Sequence, residues 1–301
     1  MKVFTEISAL RAYLKDTKFN AARSGQHLSV GLVPTMGFLH EGHASLMNRA
    51  RTENDLVVLS IFVNPIQFGP NEDFETYPRD AEKDLALAKQ EGVDVVFLPS
   101  VEEMYPRPTK TTISVKELTA KLCGASRPGH FDGVTTVVGK LLHIVSPNHA
   151  YFGQKDAQQV AVISQMVGDL NMDVQIIPCP IVREHDGLAL SSRNVYLSPE
   201  DRKAALVLSR SLQQAKSKAE ESEHVTVGEL RQEIQQMIQS EPLAQIDYVE
   251  FTQFPGMMPL DDITSLKDSE EDVLIALAVR FGKTRLIDNI ILTKKGVINH
   301  V

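Results

Sequence analysis

Short runs of apolar residues recur along the first 180 residues, and segments with a helical pattern of apolar positions separate them. A run that is apolar on both faces is typical of a buried parallel strand, whereas apolar residues three and four apart predict a helix. The predicted strands cover residues 29–33, 56–63, 95–98 and 174–177, and each is followed by a proline or an Asn-Pro pair. The predicted helices cover about 7–25, 40–52, 80–91, 133–145 and 157–170. This alternation predicts an α/β fold with a doubly wound parallel sheet that carries helices on both faces.

The pattern changes near residue 180. Beyond this point, Ser198-Pro199-Glu200-Asp201 predicts a helix start, with serine as the N-cap, proline in the first helical position and acids in the first turn. Two polar helices follow, and apolar stretches predict strands around 246–252, 273–279 and 290–292. We therefore predict a first domain over 1–181 and a smaller α+β domain over 182–301, which forms a lid over the site of the first.

Charge and composition narrow the function classes. The 301 residues include 31 Lys and Arg against 39 Asp and Glu, a formal net charge of −8. Such a chain is not expected to bind nucleic acid or a membrane surface, because both need basic patches. No apolar run reaches the roughly 18 residues of a membrane span, and the N-terminus lacks the apolar segment of a signal peptide. Cys123 and Cys179 form no CxxC pair, so we expect a protein of the reducing cytoplasm.

The most specific motif is His40-Glu41-Gly42-His43, directly after a predicted strand and turn. Residues three apart lie on one face of a helix, so both imidazoles point the same way from its first turn. That turn also offers backbone N–H groups and the positive end of the helix dipole, which together form a phosphate site. A zinc site is disfavoured, because metalloprotease helices space their histidines four apart. The remaining alternative is a pair of structural or solvated histidines.

Three further polar segments lie where a doubly wound fold places its ligand loops. Lys155, within the segment 153–156, can bind a phosphate, and Asp156 can hold ribose hydroxyls or Mg²⁺. The hydroxyls and guanidinium of the segment 190–194 suit a polyphosphate. The amides of Asn64 and Gln67 can contact a small polar substrate. Each segment alone is also typical of an ordinary polar loop.

Together these motifs resemble those of the pantothenate synthetase (pantoate–β-alanine ligase) family, in the family's order over roughly residues 30–200. The matching segments are 34–43, 64–68, 122–124, 127–134, 152–159 and 183–194. Gln154 stands where Glu is common in the family and Leu190 where Met is common, and neither position carries a charge that the mechanism requires. The C-terminal third matches in position and size only.

The resemblance implies a member of the HIGH-type nucleotidyl-transferase superfamily, with a Rossmann-like first domain and a homodimeric assembly. It implies an AMP-forming ligase that uses ATP as a co-substrate and Mg²⁺. The carboxylate of pantoate would attack the α-phosphorus of ATP, giving pantoyl adenylate and pyrophosphate. The amine of β-alanine would then attack the acyl carbon and release pantothenate and AMP.

The resemblance also assigns roles in ATP binding. His40, His43 and Lys155 would be catalytic, with both imidazoles and the ammonium at the phosphates and His43 as the proton donor. Asp156 would lie near the ribose, and Val182 would contact the adenine through its backbone. The implied ATP-binding set is Met36, Gly37, His40, Gly42, His43, Gly153, Lys155, Asp156, Val182, Leu190, Ser191, Ser192 and Arg193.

For the other substrates, the resemblance assigns Gln67 and Gln159 to pantoate, and Gln67 to β-alanine as well. Asn64 is assigned to the same substrate site, and Asp84 is expected to help place Mg²⁺. Two alternatives stay open at this point. The chain could be a nucleotidylyltransferase that leaves the nucleotide on its product, or an ATP-binding protein without catalysis.

Overall fold

The computed structural model describes residues 1–70, 72, 74–222 and 224–293. Within these residues the chain forms two compact units. The first comprises Met1–Gln154 and Val162–Pro180, and the second comprises Lys155–Ala161 and the described residues from Ile181 onward. The segment 155–161 therefore groups with the later residues. The predicted division into 1–181 and 182–301 instead places this segment in the first domain. The action of the second domain as a lid stays a prediction.

Six strands form the sheet of the first unit. They are β1 (Lys2–Phe4), β2 (Val30–Thr35), β3 (Leu56–Ile61), β4 (Val95–Phe97), β5 (His149–Gly153) and β6 (Gln175–Cys179). All neighbours are parallel, in the order β1-β4-β3-β2-β5-β6. The chain runs outward from β2 to β4 and then returns to the other side of β2, so the switch point lies between β2 and β5. The predicted doubly wound parallel sheet is confirmed.

The helices that accompany this sheet are, in chain order, α1 (Ile7–Arg23), α2 (Glu41–Glu53), α3 (Ala81–Gln90), α4 (Val101–Met104), α5 (Leu122–Ser126), α6 (His130–Val145) and α7 (Ala157–Asp169). Short 3-10 helices cover Pro65–Gln67 and Gln154–Asp156. The apolar face of α2, with Leu46 and Met47, packs in one core with Val33 and Leu59 of the strands. This core fixes the start of α2 at the carboxyl end of β2.

The apolar pattern of the sequence does not predict two of the strands. β1 has only three residues, which is too few for a periodic signal. β5 begins at a histidine and ends at a glycine, although Ala150, Tyr151 and Phe152 inside it are buried. Pairing with neighbouring strands, more than local propensity, makes these segments extended.

The second unit is the predicted smaller α+β unit. Its helices are α8 (Pro199–Ala204), α9 (Leu206–Glu221) and α10 (Val227–Gln239), and its strands are β7 (Ala244–Phe254), β8 (Asp272–Phe281) and β9 (Thr284–Leu292). The strands form an antiparallel sheet in the order β7-β8-β9. Leu212 and Ile234 of the helices share one core with Phe251 and Ile275 of the sheet. In the part of the chain that the structure describes, no helix combines the length and apolar character that crossing a membrane requires.

Candidate active site

The paired histidines lie at the start of α2, where His40 is the N-cap residue. Nδ1 of His40 accepts a hydrogen bond from the backbone N–H of Gly42 at 3.1 Å. Nδ1 of His43 accepts one from the N–H of His40 at 3.2 Å. The centroids of the two rings are 4.1 Å apart. The structure therefore brings both predicted imidazoles together at one helix start.

These hydrogen bonds decide which nitrogen of each ring can donate. A backbone N–H only donates, so Nδ1 of both histidines must present its lone pair. A neutral imidazole bonded in this way carries its proton on Nε2. Both rings therefore carry an Nε2–H donor, which is the form that suits a phosphate oxygen.

The turn that precedes the histidines has a left-handed backbone at two positions, with φ of 85° at Gly37 and 51° at Phe38. Asp84 is only 1% exposed and bonds to this turn. One carboxylate oxygen accepts the N–H of Phe38 at 2.8 Å, and the other accepts the N–H of Leu39 at 2.7 Å. Burial raises the pKa of Asp84 above its ordinary value. Its role at Mg²⁺ stays a prediction, and both of its oxygens accept a backbone N–H.

The two predicted substrate amides form a chain of hydrogen bonds beyond β3, and both are buried. Nδ2 of Asn64 donates to Oε1 of Gln67 and to the carbonyl of Gly133, each at 3.1 Å. This leaves Nε2 as the donor that Gln67 presents, and it lies 2.9 Å from Sδ of Met36. Asn64, expected to contact substrate, thus orients Gln67.

Tyr105 extends this chain, and sequence reasoning does not find it. Its hydroxyl donates to Oδ1 of Asn64 at 2.9 Å. Burial raises the pKa of Tyr105 to about 12, so the hydroxyl keeps its proton at neutral pH. Tyr105 is 41 residues from Asn64 along the chain, and no local motif marks it.

A second group of side chains fixes the backbone of Gln67. The Gln67 carbonyl lies 2.8 Å from Nδ1 of His130, whose Nε2 lies 2.9 Å from the guanidinium of Arg127. A carbonyl only accepts and a guanidinium only donates, so Nδ1 carries the proton of this ring. Arg127 also forms a two-pronged ion pair with Glu72, at 2.7 and 2.5 Å. Burial alone would raise the pKa of Glu72, but hydrogen bonding and charge attraction from Arg127 lower it.

Two glycines of the expected ATP-binding set lie at the ends of elements. Gly42 lies in the first turn of α2. Gly153 ends β5, and a Cβ added there would meet no atom within 4 Å. Open space of this kind permits a ligand to approach the backbone closely.

In the second unit, Lys155 and Ser191 line the same small cleft, and Asp288 lines it with them. Nζ of Lys155 lies 3.8 Å from a carboxylate oxygen of the exposed Asp156. Gln159 is half-buried in the first turn of α7. The structure thus brings the expected phosphate lysine and one hydroxyl of the expected phosphate loop to one cleft.

Hydrogen bonds tie the expected phosphate loop together. The N–H of Leu190 donates to the carbonyl of Val182 at 3.0 Å, which ties the start of this loop to Val182. Oγ of Ser191 accepts the N–H of Arg193 at 3.3 Å and begins the 3-10 helix Ser192–Tyr196. Val182, expected at the adenine, and the residues expected at the phosphates therefore belong to one connected segment.

Two residues of β9 bond to Arg183 and to Lys155, and sequence reasoning misses both. The carboxylate of Asp288 is buried and receives two hydrogen bonds from Arg183, at 2.7 and 2.9 Å. Nδ2 of Asn289 donates to the carbonyl of Lys155 at 2.8 Å. The apolar pattern around 290–292 indicates a strand there, but nothing local shows that its neighbours reach Arg183 and Lys155.

Comparison with known proteins decides between a ligase and the two alternatives that the sequence leaves open. A family model described as "Pantoate-beta-alanine ligase" matches residues 2–291. The chain belongs to the pantoate–β-alanine ligase family. This ligase is 57% identical over 291 residues to the pantothenate synthetase of Acetivibrio thermocellus, with 97% of the ligase and 99% of that relative covered. It is 58% identical over 267 residues to that of Caldicellulosiruptor bescii, with 89% and 92% covered.

Solved structures agree with this assignment. The ligase superimposes on the pantothenate synthetase of Thermus thermophilus with a TM-score of 0.87 and 45% identity, covering 96% of the ligase and 99% of that chain. For the pantoate-β-alanine ligase of Francisella tularensis, crystallised with "Beta-gamma ATP" and β-alanine, the TM-score is 0.75 and the identity 37%, with 96% and 97% covered. The family, the fold class and the enzyme class expected from the sequence are confirmed. The ligase catalyses the ATP-dependent condensation of pantoate with β-alanine.

Proposed function

We propose that this ligase condenses its substrates through a pantoyl adenylate. A carboxylate oxygen of pantoate bonds to the α-phosphorus of ATP, and the bond from that phosphorus to pyrophosphate breaks. The amine of β-alanine then bonds to the acyl carbon and loses a proton, and AMP leaves with the carboxylate oxygen. The nucleotide and β-alanine bound in the Francisella tularensis relative support this assignment. The observation that carries it is the pair of Nε2–H donors at the start of α2.

In the first unit, the residues around α2 bind ATP and those beyond β3 bind pantoate. A carboxylate that attacks a polyphosphate meets like charge, so donors must stabilise the phosphate oxygens as the bond forms. His40 and His43 supply Nε2–H groups there, and His43 donates a proton to the departing group. Gln67 directs Nε2–H to the carboxylate of pantoate and also contacts β-alanine, while Asn64 acts by orienting it. The nucleotide lies along Met36, Gly37, Gly42 and Gly153.

In the second unit, a cation and a polar loop contribute to ATP binding. Lys155 neutralises phosphate charge, Asp156 bonds to the ribose hydroxyls, and Gln159 binds pantoate. The backbone of Val182 contacts the adenine. The phosphate loop consists of Leu190, Ser191, Ser192 and Arg193. The cleft shared by Lys155 and Ser191 supports their joint action on phosphates.

We propose that Mg²⁺ arrives bound to the phosphates of ATP. Among the described residues, no group of three or more His, Cys, Asp or Glu side chains is arranged to hold a metal ion. Mg²⁺ commonly binds through substrate phosphates and waters, with few protein ligands. The chain's own contribution is then to bind the charged nucleotide, through donors such as His40 and Lys155.

We further propose that the ligase works as a homodimer in the cytoplasm, as the resemblance to its family implies. Sedimentation of the purified chain tests the assembly. A mass of about twice the 33.4 kDa chain supports the dimer, and a monomer at working concentration contradicts it. Fractionation of the source cells tests the compartment.

Isotope transfer tests the adenylate route. Pantoate labelled with ¹⁸O in its carboxylate is incubated with ATP, Mg²⁺ and β-alanine, and the products are analysed by mass spectrometry. We expect one ¹⁸O in the phosphate of AMP, because the carboxylate oxygen leaves with it. Label in inorganic phosphate, formation of ADP, or a product that retains the nucleotide would contradict the proposal.

A further inference from the structure

The turn between β2 and α2 connects the end of the strand to the two histidines. Its backbone is left-handed at Gly37 and at Phe38, with φ of 85° and 51°. Glycine adopts this conformation freely, but a bulky residue such as phenylalanine does so only when its surroundings hold it there. Something must therefore stabilise Phe38 in this form.

Asp84 of α3 supplies that stabilisation. Its two carboxylate oxygens accept the consecutive N–H groups of Phe38 and Leu39, at 2.8 and 2.7 Å. The fit is close, since a Cβ on Gly37 would lie 2.9 Å from Oδ2 of Asp84. On the other side of the turn, Oγ1 of Thr35 accepts the N–H of Gly37 at 3.3 Å. Asp84 thus fixes, through two hydrogen bonds, the backbone of the two residues that directly precede His40.

We infer that Asp84 is a positioning residue for the ligase reaction, which holds Gly37 and Phe38 in their left-handed form and thereby places His40 and His43 against the phosphates of ATP. The inference rests on the proposed role of the two histidines. It assigns Asp84 the task of accepting backbone N–H groups of the turn, in place of the metal contact expected from the sequence. A side chain that is 1% exposed, with an N–H on each oxygen, matches that task.

Asp84→Asn tests the inference, because it keeps the shape and replaces one acceptor with an NH₂ group that faces an N–H donor. We expect kcat for pantothenate formation to fall by about 10- to 100-fold, since small displacements of reacting groups have effects of this size. We expect KM for ATP to change less than threefold. The control is Asp55→Asn, which removes a carboxylate that accepts the N–H and hydroxyl of Ser29, and which should retain the normal rate.

A rescue experiment separates positioning from a general loss of stability. Phe38→Gly removes the penalty for the left-handed conformation, so Asp84→Asn combined with Phe38→Gly should turn over several-fold faster than Asp84→Asn alone. Phe38→Gly by itself gives the reference rate for this comparison. A double variant no faster than Asp84→Asn overturns the inference.

Three other results overturn it as well. They are a normal kcat in Asp84→Asn, a more than tenfold increase in the Mg²⁺ needed for half-maximal rate in that variant, and fast hydrogen exchange of the Phe38 and Leu39 amides in the unaltered ligase. The exchange measurement applies even if Asp84→Asn does not fold. His43→Ala is measured in parallel. A normal rate there overturns the histidine assignment, whereas a slow His43→Ala with a normal Asp84→Asn overturns the role of Asp84 alone.

Discussion

At the scale of single residues, backbone groups decide what the polar side chains of this ligase can donate. The N–H groups of His40 and Gly42 occupy Nδ1 of the two signature imidazoles and place the proton of each neutral ring on Nε2. Asn64 is fixed by the carbonyl of Gly133, and it in turn fixes the amide of Gln67. The residue types could be read from the sequence, but the direction of each donor could not, because it depends on partners distant in the chain.

Tyr105→Phe tests the amide chain at this scale. Without the hydroxyl, Oδ1 of Asn64 loses its hydrogen-bond donor. The side chain of Asn64 is then less well fixed and orients Gln67 less firmly. We expect KM for pantoate to increase about five- to tenfold, the equivalent of one net hydrogen bond of about 1 kcal/mol, with KM for ATP unchanged. Steady-state kinetics with each substrate varied in turn provide the measurement.

The matched control is Tyr151→Phe. The hydroxyl of Tyr151 is also engaged, since it accepts from Asn54 at 2.7 Å and donates to Glu53 at 2.8 Å, but neither partner belongs to the amide chain. This variant should lose stability and keep its KM for pantoate. Equal increases in KM for pantoate in both variants would show that Tyr105 only supports the fold.

At the scale of elements, close approach of α6 to the 3-10 helix Pro65–Gln67 shapes the expected pantoate site. A Cβ on Gly133 would lie 2.5 Å from Cα of Gln67 and 2.5 Å from the carbonyl oxygen of Ile66. These are backbone atoms, which cannot move aside as a side chain can. The helix α6 was predicted from its apolar spacing, but the need for glycine at this position comes from packing that a single sequence does not display.

Gly133→Ala should therefore displace Gln67. Overpacking of this kind costs about 1–3 kcal/mol of free energy. We expect Gly133→Ala to weaken pantoate binding and to lower stability, while ATP binding is retained. Gly139→Ala, on the same helix, is the control, because its Cβ would meet only the end of the Ile113 side chain, at 2.7 Å. Titration calorimetry with pantoate and with ATP measures both effects. Undiminished pantoate affinity in Gly133→Ala would contradict the account.

At the scale of the whole molecule, the sequence predicts the class of both units and misses details that depend on distant pairing. The parallel sheet and the strands of the smaller α+β unit follow from apolar runs, but the antiparallel pairing of those strands does not. The strand β5 was missed because His149 and Gly153 bound it, and the grouping of 155–161 with the second unit has no local signal. Arg183 and Asp288 show the same limit, since 105 residues separate two side chains that form one ion pair.

That ion pair should matter for the stability of the second unit. Arg183→Met leaves the carboxylate of Asp288, which is 2% exposed, without its main partner. We expect unfolding to become easier by about 2–3 kcal/mol, somewhat less than is typical for a fully buried pair because the side chain of Arg183 is 29% exposed. Lys216→Met, which breaks the exposed pair with Glu220, should cost less than about 1 kcal/mol. Urea unfolding of both variants is the measurement, and equal losses would refute the expectation.

Exchange of labelled pyrophosphate into ATP tests the central claim most directly, because it detects adenylation before the amide bond forms. With Mg²⁺, the ligase should catalyse exchange when pantoate is present and β-alanine is absent, and none when pantoate is omitted. His43→Ala should exchange about 10²-fold more slowly, since it lacks a donor at the phosphates. Exchange that depends on β-alanine, or that proceeds at the normal rate without the imidazole of His43, would contradict the account.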